Sequence, residues 1–136
     1  MTFLDTNICL DLLAKRSPWH EDAEQLVAFH IKKSMKLGVS TISIPILTFL
    51  LKRYHKEIDT KNVLCNLIKF IGLLDVNRKM TEAAINSTWK DIEDCMQYEC
   101  ARYHNALMII TRNKQDFNQS EIPVMTSAEW VKEFCN

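Results

Sequence analysis

The chain has 136 residues, 47% hydrophobic and 25% charged, the make-up of an ordinary globular protein with enough length for a real core. Seventeen Lys and Arg balance seventeen Asp and Glu, so a strongly basic nucleic-acid binder is not indicated, while local basic patches remain open. No stretch approaches the roughly 18 consecutive apolar residues of a membrane span, and five cysteines without a pairing rhythm do not make a disulfide framework.

In chain order, Thr2 to Leu4 reads as a short buried strand, which leaves no room for a signal peptide and points to a cytoplasmic chain with reduced thiols. Ile8, Leu12 and Leu13 suggest a helix. Ser17-Pro18 reads as the next helix start, with Glu21 and Asp22 close behind and Ala23, Leu26, Val27 and Ile31 on one face. Gly38 is expected to end that region before a strand at Val39-Ser40-Thr41-Ile42. A helix then runs from Ser43 to Tyr54 through Pro45, burying Ile46, Leu47, Leu50 and Leu51.

Asp59-Thr60 caps a further helix, whose stripe of Val63, Leu64, Leu67, Ile68 and Ile71 ends at Gly72. Leu73 to Val76 is a third strand candidate, followed by a helix near Lys79 to Ser87 and an acidic one from about Asp91 to His104. Leu107 to Thr111 forms the fourth strand, Val124-Met125 belongs to a short fifth, and Thr126 with Glu129 makes a capping box for the last helix. Such alternation implies one α/β domain over residues 1–136, with a central parallel sheet of four to five strands covered on both faces. With only two glycines, both expected to end elements, the chain has no phosphate-cradling loop of the Walker or dinucleotide type. Cys95 and Cys100 lack the spacing of a zinc knuckle, and Cys9, Cys65 and Cys135 read as small core residues.

Chemistry concentrates in three phrases. Asp5 ends the first strand, Asp94 lies in the first turn of the acidic helix, and Asp116 follows the fourth strand. In an open parallel sheet ligands bind outside the carboxyl ends of the strands. Carboxylates gathered there repel one another unless a hard divalent cation holds them, and magnesium and manganese favour oxygen ligands. That pattern points to metal-dependent chemistry on a phosphodiester. The blander account of Asp91 and Asp94 is helix capping, since first-turn acids are favoured by the dipole. It is weaker for Asp5, because a carboxylate ending a buried strand is costly to desolvate without a partner. On the acidic helix, Ile92, Cys95, Met96, Cys100 and Tyr103 form the expected buried stripe, with Asp91, Asp94 and Tyr98 on another face.

Phe3-Leu4-Asp5-Thr6-Asn7, then Asp91 through Ala101, then Thr111-Arg112-Asn113 through Asp116-Phe117 resembles the PIN domain family, most closely its stand-alone bacterial branch, which is similar to VapC-type toxins. Ser43-Ile44-Pro45-Ile46 and Ile122 to Thr126 also fall where that branch starts its second-strand helix and its closing strand, so the resemblance spans essentially the whole chain. It implies a three-layer α/β/α sandwich and cleavage of RNA dependent on Mg2+ or Mn2+, possible pairing with an antitoxin protein, and a homodimer without membrane contact. By the same resemblance Asp5, Asp94 and Asp116 are the catalytic, metal-binding acids. Asn7, Asp91, Glu93, Thr111 and Asn113 support them. The family's usual helix glutamate is absent, its place falling at or near Ile46, with Asp91 or Glu93 as the replacement or with activity reduced.

Arg112 and Lys114 are the expected RNA phosphate contacts. The basic end Lys52, Arg53, His55 and Lys56 is accounted for by the helix dipole alone, and His104 reads as a surface residue. The competing reading is a catalytically weak or inactive PIN-like module that binds RNA or a protein. A phosphatase or receiver domain fits poorly, for lack of an adjacent acid pair before the first helix and of a lysine ending a late strand.

Overall fold

The computed structural model describes residues 1–135. Its centre is a five-stranded parallel sheet of β1 (Thr2–Leu4), β2 (Leu37–Ser40), β3 (Gly72–Leu74), β4 (Met108–Ile110) and β5 (Val124–Met125), in the order β3-β2-β1-β4-β5. The helices are α1 (Thr6–Ala14), α2 (His20–Lys32), α3 (Ser43–Tyr54), α4 (Thr60–Leu67), α5 (Arg78–Ile85), α6 (Ile92–Tyr103) and α7 (Ser127–Phe134). This is the three-layer α/β/α arrangement expected. None of the described helices is long and apolar enough to cross a membrane.

The two strands at the centre explain the layering. β1 and β4 pair in register Thr2↔Met108, Phe3↔Ile109, Leu4↔Ile110. Because side chains alternate along a strand, Leu4 and Ile110 enter one core with Ile8, Leu26, Leu47, Leu51 and Trp130, while Phe3 and Ile109 enter the other with Met80, Tyr98, Ala101 and Phe117. Burial on both faces is why β1 carries no inward/outward polar alternation. The chain steps from β1 to β2 on one side and returns to β4 on the other, so the direction of strand order reverses between β1 and β4. That junction is the expected ligand crevice of an open parallel sheet.

Several local expectations are corrected. Both glycines lie inside strands and face each other, Gly38↔Gly72, instead of ending helices. A Cβ on Gly38 would fall 2.7 Å from Leu74 Cδ1 and 2.9 Å from Met1 Sδ, so close packing and not a turn requires glycine there. β2 accordingly spans Leu37–Ser40 and not 39–42. Lys15, Ser34 and Asn105, with φ of 49°, 54° and 59°, supply the left-handed residues after α1, α2 and α6.

Ser17-Pro18 does not open α2. The Trp19 and His20 N–H groups both donate to Arg16 O, closing a turn first, and the helix begins at His20 without a side-chain cap. On α2 it is His30 that is buried while Ile31 is exposed, the imidazole being held by Leu26 O (2.8 Å) and Thr2 Oγ1 (2.9 Å). Cys65 is exposed and Cys135 only partly buried, unlike Cys9, which is a core residue as expected. Leu107 precedes β4 and is exposed.

The Thr126–Glu129 capping box forms as the sequence suggests, with Glu129 N–H donating to Thr126 Oγ1 (3.1 Å) and Thr126 N–H to Glu129 Oε2 (2.9 Å). Thr126→Ala is expected to lower stability by about 1 kcal/mol, read as a lower urea midpoint with unchanged slope.

Candidate functional site

Asp5 leaves β1 and caps α1, its Oδ1 accepting from Thr6 N–H at 2.8 Å. Its Oδ2 accepts from Thr111 Oγ1, just past β4, at 2.7 Å. The carboxyl is buried, and that burial lifts its pKa to about 6 against the opposing Thr111 bond. Asp91 caps α6 by accepting from Asp94 N–H at 2.9 Å, so Glu93 and Asp94 fall in the first turn. Asp94 is driven up to about 8, first by burial, then by the adjacent Glu93 carboxyl and the charges of Asp5 and Asp91.

Asp91, Glu93 and Asp94 each offer one carboxylate oxygen, and these lie within 4.8 Å of one another. Asp94 lines two cavities. One, of about 340 Å³, is walled by Asp5, Asn7, Arg16, Ile46, Glu93, Arg112 and Asn113; the other, of about 170 Å³, by Asp91, Lys90, Gln115 and Asp116. Asp116 sits exposed in a 3-10 turn at Lys114–Phe117, close enough for its charge to raise Asp5. Of the three expected acids, Asp94 is shared by both cavities, Asp5 lines only the larger and Asp116 only the smaller, and among the described residues the carboxylates that cluster with Asp94 are Asp91 and Glu93. Asn7 Oδ1 accepts from Arg112 N–H at 3.4 Å, and Asn113 N–H donates to Thr111 Oγ1 at 3.1 Å.

A crowd of carboxylates in which Asp5 and Asp94 resist ionisation suits a hard divalent cation, because a cation can take the place of the protons that otherwise relieve the crowding. Without a nitrogen or sulfur ligand among the clustered groups, the set matches magnesium or manganese better than zinc.

Beneath the acids lies a buried polar network that sequence reasoning missed. Gln97 Nε2 is 3.0 Å from each of Thr6 Oγ1, Ser43 Oγ and Glu93 Oε1, and its Oε1 accepts from Ser40 Oγ at 2.6 Å. Thr6 and Ser43 hydroxyls are 2.6 Å apart. This corrects the face expected of α6: Gln97 and Tyr98 are buried, Tyr98 stacking on Trp89 at 4.9 Å, whereas Ile92 and Tyr103 are exposed. The four-residue step from Glu93 to Gln97 on one helix was the available signal.

Both expected RNA-contacting cations are tethered. Arg112 Nε lies 3.2 Å from Asp11 Oδ2, and Lys114 Nζ lies 3.0 Å from Glu129 Oε1. Arg16, Asp11 and Tyr54 also border the crevice or its wall and were not singled out from sequence. Gln97→Leu is expected to take away the Ser40 hydroxyl's acceptor and the donor shared by Thr6, Ser43 and Glu93, and to cost about 1–3 kcal/mol, measured by denaturant unfolding.

A PIN domain family model matches residues 2–115. The chain is similar to Ribonuclease VapC1 of Aquifex aeolicus, 25% identical over 138 residues, covering 96% of this chain and 92% of that protein. Among solved structures it is similar to a toxin-antitoxin complex from Klebsiella pneumoniae (TM-score 0.68, 22% identity, 93% of this chain and 98% of that one). A second is the Mycobacterium tuberculosis VapC20, a sarcin-ricin loop cleaving toxin (TM-score 0.65, 16% identity, 80% and 87%).

Proposed function

The chain belongs to the PIN domain family, and from that premise we propose that it is a divalent-metal-dependent endoribonuclease, the toxin of a toxin–antitoxin pair. The observation that carries the reading is the position of Asp94 between two cavities, with Asp5 and Glu93 on one side and Asp91 and Asp116 on the other, at the point where strand order reverses. Its Aquifex aeolicus relative is a ribonuclease, and of the two solved structures named above one is a toxin-antitoxin complex and the other a sarcin-ricin loop cleaving toxin.

In this reading Asp5, Asp94 and Asp116 hold the metal, directly or through water. Bound Mg2+ or Mn2+ supplies a water of lowered pKa and neutralises charge building on the phosphate oxygens. The protein's own part is to orient. Thr111 fixes the Asp5 carboxyl by donating to Oδ2, and Gln97 fixes Glu93 by donating to Oε1. Asn7 holds the loop after β4 against the start of α1 by accepting from the Arg112 N–H, and the Asn113 backbone N–H donates to the Thr111 hydroxyl within that loop. Ile46 lines the cavity where the family's helix glutamate is expected, and Glu93, across the same cavity, stands in for it.

An antitoxin needs apolar surface to grip. The open groove lined by Leu12, Leu13, Val27, Val63, Leu67 and Phe70 supplies it, and exposed Phe49 and Leu73 add surface for a homodimer or partner. The competing module, which binds RNA without cutting it, is favoured only by Ile46.

Manganese is expected to bind the wild type by calorimetry, to bind Glu93→Gln about 10–100-fold more weakly, and to leave Asp94→Asn unbound. RNA cleavage should appear with manganese and vanish in chelator and in Asp94→Asn. A folded wild type that binds no manganese would sink the catalytic reading.

The raised carboxyls also set a stability trend. A folded-state pKa above the unfolded value means the folded chain holds more protons between about pH 4 and 8, so stability falls as pH rises through that window. In chelator, Asp94→Asn is expected to melt like wild type near pH 4 and higher than wild type at pH 8, by roughly 3 °C. Saturating manganese should reverse that order at pH 8.

A further inference from the structure

The large cavity has a cationic side that the acids do not explain. Asp11, on α1, is fully buried and faces two guanidiniums: Arg16 Nη2 at 2.8 Å with Nε donating at 2.9 Å, and Arg112 Nε at 3.2 Å. Arg16 also donates to Tyr54 Oη (3.0 Å) and to Asn7 O (3.3 Å), and Arg112 stacks 4.0 Å over the Trp19 ring. Both arginines line the cavity that holds Asp5, Glu93 and Asp94, with 14% and 22% of their side chains exposed.

A buried ion cluster of this kind contributes little net stability, because desolvation offsets the attraction. Its geometry is also imperfect, since Asp11 Oδ2 and Arg112 Nε make no aligned hydrogen bond despite their proximity. What the cluster does achieve is placement. Two fixed guanidiniums against one carboxylate leave a positive wall facing a negative one. Along α3 the same cavity is lined by Ile46, Leu50 and Tyr54, spaced by four, an apolar and aromatic strip suited to the face of an unpaired base. About 340 Å³ is the size of a small-ligand pocket, room for a nucleotide and not for a duplex.

We propose that Asp11 is a positioning residue that fixes Arg16 and Arg112 as a clamp for a backbone phosphate of single-stranded RNA, beside the phosphate presented to the acids. The proposal rests on the ribonuclease reading for its substrate, but it is tested by binding and not by cleavage.

The experiment is fluorescence anisotropy of a labelled oligouridine of about twelve nucleotides, in chelator, across roughly 50 to 200 mM salt. Arg16→Met is expected to weaken binding about 3–10-fold and to reduce the salt slope by about one, with Arg16→Lys restoring the slope. Asp11→Asn should weaken binding at least as much while Arg16→Met, which leaves Asp11 paired with Arg112, keeps the test valid if Asp11→Asn does not fold. Unchanged affinity and slope in Arg16→Met, or no binding by wild type at the lowest salt, would overturn the clamp. Weakened binding without any manganese-dependent cleavage by wild type would uphold the clamp and remove the nuclease reading. Where cleavage is measurable, Arg16→Met should raise KM with little change in kcat.

Discussion

The hydrogen bond from Thr111 Oγ1 to Asp5 Oδ2 ties together the ends of the two central strands, and the crevice is arranged around it. β1 must release a carboxylate at the edge of a dry sheet, and a buried carboxylate without partners is costly. The β1–β4 register puts Leu4 beside Ile110, so that the next residue on each strand meets the other, and a threonine there gives the carboxylate a donor. The other oxygen caps α1. One side chain thereby ends a strand, starts a helix and faces the cavity, and its freedom to move is removed by all three.

Around that fixed point the molecule keeps charges of both signs where folding alone would not place them. Burial holds Asp5 and Asp94 well above the ordinary carboxylate range, while Asp11, buried further along α1 from Asp5, is paired with two arginines. Neither group gains much for the folded state. Local conflict of this sort, inside a fold whose caps and core are otherwise consistent, is what functional sites look like when stability is given up for binding.

How much of this was legible in the sequence follows from how far each signal reaches. α3 was read with its observed limits, because Ser43, the Pro45 first turn and the Leu47/Leu51 spacing are all local. The position of Asp5 directly after β1 was legible for the same reason. Gln97 was not, since its partners Thr6 and Ser43 are 91 and 54 positions away and a glutamine on a helix reads as surface. Asp11 was hidden likewise: its second arginine lies beyond β4, and an aspartate on α1 looks like ordinary solvent-facing charge until the fold closes over it. Glycine misled because turn chemistry is the common use, whereas here Gly38 is set by the closeness of Leu74 and Met1.

Position 46, where the resemblance leads one to expect a helix glutamate, is an isoleucine that lines the larger cavity together with Glu93. Gln97 on α6 donates toward Ser43 at the start of α3 and toward Glu93 one turn earlier on its own helix. A carboxylate carried by α6 is thus held against the very helix that lacks one. α3 presents Ile46, Leu50 and Tyr54 to the cavity as an uncharged strip. An acid at position 46 would add a negative charge to the cavity that Arg16 and Arg112 line. With Glu93 carried by α6, the cavity is lined by acids, by the two arginines and by the apolar strip of α3.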